Sequence, residues 1–147
     1  MAGAGDGEPP ADGAVERLGE GDLAACLALS ASAGWNQVAT DWLLFFRFGA
    51  VWGVRAAGGG TVLASAALMP YPPDAAWISM VLTLPRARGR GLARRLVARA
   101  VAEAQRRGLV PTLDATPAGE PVYRHLGFCD GPHLSRWRRR GAAPAGP

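Results

Sequence analysis

At 147 residues the chain can bury the core of one domain of ordinary size without metals or disulfides. It has neither a basic start followed by an apolar run nor a long continuous apolar stretch, which speaks against secretion or membrane spanning and for a cytoplasmic protein. Its net charge is +4, with no lysine and half of its 16 arginines between Arg86 and Arg107, a distribution that disfavours basic partners and favours acidic ones. Cys26 and Cys129 read as free buried thiols, and no metal site is expected.

Residues 1–13, rich in Gly, Ala, Pro and acidic side chains, read as a disordered tail, as do 141–147, leaving one domain over 14–140. Ala14 to Leu18 suits an edge strand. Asp22 is a suitable N-cap for a helix reaching about Ser32, with Leu23, Cys26 and Leu27 on one face and Gly34 as its stop. Trp35-Asn36-Gln37 then breaks the pattern before Thr40, expected to cap a short helix over Asp41 to Phe48. Ala50 to Ala57 and Thr61 to Tyr71 flank Gly58-Gly59-Gly60, a hairpin signal. Ala75 to Leu84 is so continuously apolar that a central strand covered on both faces is expected.

After the loop Arg88-Gly89-Arg90-Gly91, a helix is marked by Ala93, Leu96, Val97, Ala100, Val101 and Ala104 at helical spacing. Arg95, Arg99 and Arg106 share the opposite, solvated face, and Glu103 can pair with Arg107. Gly108 and Pro111 end the helix. Val110 to Ala115 reads as a strand, Gly119 to Leu126 as a short helix, and Phe128 to Trp137 as a final strand or hairpin.

The glycine loop carries the clearest chemistry. Glycines let the backbone approach a ligand closely, and the unpaired N–H groups and dipole of the following helix attract an anion. A Walker-type nucleotide site would need a lysine that this chain lacks. A dinucleotide fingerprint would need a small residue where Arg94 stands.

Arg88, Gly91 and Ala93 meet the pattern Arg/Gln-x-x-Gly-x-Gly/Ala, and Tyr123-Arg124-His125-Leu126-Gly127-Phe128 supplies a Tyr-x-x-Leu-Gly-Phe element after the next strand. In this order of elements the chain resembles the GNAT family of N-acetyltransferases from about Val15 to Trp137, most specifically from Trp77 to Phe128. The resemblance implies an α/β fold of α+β type: a mixed, mostly antiparallel central sheet flanked by helices and splayed where the cofactor binds. It implies acetyl-CoA as co-substrate. Backbone groups of Arg88, Gly89, Arg90, Gly91, Leu92, Ala93 and Arg94 would then hold its pyrophosphate, while the free edge of Val81, Leu82 and Thr83 takes the pantetheine arm as an added strand. Thr116 occupies a cofactor-site position where the family commonly has Asn, and it lacks the side-chain amide.

Tyr123 is the leading catalytic candidate. A phenol with a reference pKa of about 10 stays protonated above a thiol of about 8.5, so it can donate to the departing CoA thiolate; its alternative role is to pack the cofactor. Asp114 is the one buried-looking carboxylate near it, a candidate base or a turn-former. Trp35, Asn36 and Gln37 lie where the family's acceptor pocket is framed, and are equally readable as core and turn residues. The function expected is transfer of acetyl from acetyl-CoA to a primary amine of a small molecule or peptide by direct attack, with weaker amines slightly favoured by a site lacking a strong base. A non-catalytic acyl-CoA-binding domain is the alternative. A nucleic-acid module is less favoured, since no aromatics interleave the arginines. No specific nucleic acid and no membrane are expected as partners, and homodimerisation is left open.

Overall fold

The computed structural model describes residues 12–135, 137 and 141. In chain order the elements are β1 (Val15–Leu18), α1 (Leu23–Ser32), α2 (Ala39–Phe48), β2 (Ala50–Arg55), β3 (Val62–Tyr71), β4 (Ala75–Thr83), α3 (Leu92–Arg106), β5 (Val110–Leu113) and α4 (Glu120–His125). The strands form one open sheet in sequence order, antiparallel throughout except for the parallel pair β4 and β5. The mixed, mostly antiparallel sheet with flanking helices is thus the architecture expected.

The β2–β3 hairpin turns where the glycine run demands it. Gly58 and Gly59 take φ of 84° and 82°, and the Ala56 N–H donates to the Thr61 carbonyl at 2.9 Å. From the hairpin, β3 runs up the middle of the sheet and is buried on both faces from Val62 to Leu68. It is β3, therefore, and not β4, that is central and doubly covered. In β4 buried and half-buried residues alternate, because its neighbour β5 is short and its outer half lacks a second strand.

Two cores result. One lies under α3, where Trp52, Ala64, Ala66 and Leu68 meet Leu96, Val97, Ala100 and Ala104. The other lies under α1 and α2, where Val51, Ala67, Met80 and Leu82 meet Cys26, Leu29 and Trp42. A buried relay ties the two short helices together: the Trp42 Nε1–H donates to Ser30 Oγ at 2.9 Å, and the Ser30 hydroxyl donates to the Cys26 carbonyl at 3.2 Å. Burial pushes the Cys26 thiol up to about 12, which makes it an inert core residue. Cys129 is free but exposed, against the expectation of burial.

Several local expectations fail for identifiable reasons. Asp22 precedes α1, yet its carboxylate makes no cap; it accepts the Gly19 N–H at 3.0 Å and pairs with Arg55. α2 starts one residue before Thr40, and Asp41 instead accepts the Val38 N–H at 2.9 Å. Asp12 and Gly13, read with the N-terminal tail, are fixed in place: the Gly13 N–H donates to the Arg55 carbonyl, and Arg95 donates to the Gly13 carbonyl. Residues 128–135 form no strand, so the expected closing hairpin is missing there, while 1–11, Arg136, 138–140 and 142–147 lie outside the described residues.

Candidate functional site

The site is organised by an irregularity in β4. Ala67 pairs with Ser79 and Ser65 with Leu82, so on β3 the single Ala66 faces both Met80 and Val81. Met80 takes φ of 52°, a left-handed conformation unfavourable for a side-chain-bearing residue. The buried Ser65 hydroxyl donates to the Met80 carbonyl at 2.8 Å and so pins the bulge. Beyond it β4 leaves its parallel neighbour: pairing runs from Ala75 with Val110 to Ile78 with Leu113, while β4 continues to Thr83. Val81, Leu82 and Thr83 consequently present a strand edge that β5 does not fill.

Because β4 and β5 are parallel, their C-terminal ends share one side of the sheet, the usual location for ligands in such sheets. Past the end of β4, a single turn at Pro85–Ala87 delivers the chain into the glycine loop. Gly89 and Gly91 have φ of 77° and 73°, and Gly91 is the N-cap of α3. The first helical bond is from the Arg95 N–H to the Gly91 carbonyl at 3.1 Å, so the N–H groups of Leu92, Ala93 and Arg94 point off the helix end. A Cβ on Gly91 would meet nothing within 4 Å, which makes backbone conformation, rather than crowding by protein atoms, the reason for glycine. Arg90 is engaged by Asp12 and donates to the Arg86 carbonyl at 2.9 Å. Arg88 and Arg94 are exposed. Positive charge, N–H donors and free strand edge form a donor set suited to a phosphorylated ligand with an extended amide arm.

Past the end of β5, Asp114, Ala115 and Thr116 lead into α4, where the Thr116 carbonyl accepts the N–H groups of Gly119 and Glu120. Asp114 is exposed; the expectation of a buried carboxylate fails because β5 ends one residue before it. Tyr123 is half-buried, edge-on to Phe128 at 6.0 Å between centroids, and packed on the core under α3. A Cβ on Gly119 would sit 2.7 Å from the Tyr123 ring, so only glycine leaves the ring room. Burial raises the phenol above its ordinary value, and it stays protonated at neutral pH. Tyr123 and Asp114 line the same cavity of about 1100 Å³ beside β5.

A smaller cavity of about 310 Å³ lies between α2 and the bulged part of β4. Of the three residues proposed to frame an acceptor, Gln37 lines it, whereas Trp35 and Asn36 are exposed and do not. Asp41, Tyr71 and Trp77 also line it; sequence reading passed over these because only tertiary packing brings α2 against β3 and β4. Trp77 borders both cavities. Among the described residues there is no cluster of potential metal ligands, and no helix long and apolar enough to cross a membrane.

Comparison with known proteins follows this geometry. No curated protein matches the chain. Among solved structures, a GNAT-family acetyltransferase from Novosphingobium aromaticivorans is 33% identical over 84% of this chain, with a TM-score of 0.68; this chain spans 56% of that protein's length. An acetyltransferase from Clostridium acetobutylicum, solved with acetyl-CoA, shares the fold at 19% identity and a TM-score of 0.68, over 84% of this chain and 94% of its own. An aminoglycoside N-acetyltransferase in complex with CoA does so at 17% identity and a TM-score of 0.70, over 90% and 99%. Residues 22–128, from the start of α1 through the Tyr-x-x-Leu-Gly-Phe element, match the acetyltransferase (GNAT) family, and with the bulged, splayed β4 feeding a glycine-capped helix the chain belongs to that family.

Proposed function

We propose that the chain is an N-acetyltransferase that moves acetyl from acetyl-CoA to a primary amine of a small-molecule or peptide acceptor by direct attack. The observation that carries this reading is the parting of β4 from β5 directly after the Met80 bulge, followed by a helix N-terminus with free N–H groups. The Clostridium relative was solved with acetyl-CoA and the aminoglycoside enzyme with CoA, which supports the same co-substrate here.

Acetyl-CoA supplies an activated thioester. In this reading the N–H groups from Arg88 to Arg94 hold the pyrophosphate, and the edge of Val81, Leu82 and Thr83 aligns the pantetheine arm, main-chain groups giving affinity without a specific side chain. Thr116 borders the cofactor through its turn. As the amine bonds to the carbonyl carbon and the C–S bond breaks, Tyr123 gives its proton to the sulfur, and the proton shed by the amine passes to Asp114 through solvent. The raised phenol favours this direction of transfer, since a group still protonated at neutral pH has a proton to give.

The test has two parts. Acetyl-CoA at about a hundred times its Kd should stabilise the native protein by about 2.7 kcal/mol, with ATP and NADH giving far less. Gly91→Glu should abolish that shift in a protein that still folds; an undiminished shift would overturn the phosphate role of the loop. Thiol release with an amine then separates a catalyst from a domain that only binds acyl-CoA.

A further inference from the structure

The smaller cavity lies on the side of the sheet opposite the Tyr123 packing, and its chemistry is specific. Its polar wall is formed by Gln37 and Asp41, its apolar wall by Phe45, Tyr71 and Trp77, and it reaches the bulge at Met80. Gln37 Oε1 is buried and has no hydrogen-bond partner among the described residues. A buried carbonyl left this way is unfavourable and calls for a donor. Asp41 uses Oδ2 to accept the Val38 N–H, which fixes the carboxylate and leaves Oδ1 for a ligand. In a chain with 16 arginines none lines this cavity, so nothing there would neutralise a carboxylate on the acceptor.

A carboxylate beside the nitrogen that reacts would stabilise its ammonium form and oppose attack. Asp41 is therefore suited to a second nitrogen that stays charged, with aromatic faces available to the same cation. Building on the N-acetyl transfer proposed above, we propose that this cavity selects an acceptor bearing two amino groups and no carboxylate, one ammonium held between Asp41 and Gln37 Oε1 and the other amine presented at the bulge.

Three probes of equal chain length test this: α,ω-diaminobutane, butylamine and γ-aminobutanoate. Thiol release with acetyl-CoA should give the diamine a kcat/KM about 10-fold to 100-fold above butylamine, with the amino acid lowest. Asp41→Asn and Asp41→Ser both retain an acceptor for the Val38 N–H, and both should collapse the diamine-to-monoamine ratio toward one. Gln37→Leu should lower the ratio in the same direction. Calorimetric binding of the diamine to the CoA-loaded protein provides a readout independent of turnover. Turnover of butylamine without a diamine preference would overturn this proposal and leave N-acetyl transfer standing. Asp41-dependent diamine binding with no thiol release from any amine would support the recognition pair and overturn N-acetyl transfer.

Discussion

The two faces of the sheet are covered in opposite ways. On one, a single 15-residue helix, α3, lies close because fully buried alanines meet across the contact, Ala64 and Ala66 from the sheet and Ala100 and Ala104 from the helix. The margin of that face is closed by charge: Arg17 and Arg99 sit over the Trp52 ring at 5.4 and 5.0 Å, and Glu103 is ringed by Arg99, Arg106 and Arg107. Most of the arginine face expected to be merely solvated is thus tied to protein partners, the Glu103–Arg107 pair included. On the other face two shorter helices, joined through Trp42 and Ser30, leave a cavity with an orphaned polar atom. The difference teaches a division of labour: small residues and long contact give stability, and incomplete cover by short elements gives access to substrate.

Tyr123 joins the two regimes, since its ring is held by the core under α3 while it also lines a cavity, and it offers the largest expected effect. Tyr123→Phe keeps the ring and removes the proton. Turnover should fall about a hundredfold to ten-thousandfold with acetyl-CoA affinity changed only a few-fold, read from thiol release and from calorimetry. A rate loss explained wholly by weaker cofactor binding would reduce Tyr123 to a packing residue.

Leu96→Ala probes the tightly packed face directly. Leu96 is fully buried, and its truncation should cost about 2–5 kcal/mol in denaturant unfolding. A loss below about 1 kcal/mol would show that this face can collapse around a cavity and is less rigid than its alanine contacts indicate.

The smallest effect belongs to the charged margin. Its arginines hold Glu103 down to about 2 from a usual 4.5, the hydrogen bond from Arg106 first among the causes. A carboxylate depressed on folding stabilises the native state above its unfolded value, and that contribution disappears as pH falls from 4.5 toward 2. Because the partner arginines are well exposed, the contribution should reach only about 1 kcal/mol, visible as an acid limb that Glu103→Gln flattens.

Much of this was legible in sequence where local rules govern. Gly89 and Gly91 announce positive φ before a helix, the alternation of Leu96, Val97 and Ala100 with arginines announces an amphipathic helix, and the triple glycine announces a hairpin. Where neighbours decide, sequence misled. Asp114 looked buried because β5 was read two residues too long, and Asp41 looked like an ordinary first-turn acid although it borders a cavity made by three separate elements. Apolar continuity put β4 at the centre of the sheet, whereas the alanine-rich β3 holds that place, since small side chains fit beneath helices on both sides.

The Met80 bulge acts on β4 as a phase shift does on a wave. Ala76, Ile78, Met80 and Leu82 form an unbroken alternation of buried residues, yet the first pair packs under α3 and the second under α1 and α2. One supernumerary residue lets a single strand address both layers of the molecule, and parity along the sequence no longer tells which layer a residue serves. Length is consequently a stricter constraint on this strand than composition: an exchange at Met80 alters one contact, while losing that position would send everything from Val81 onward to the wrong side.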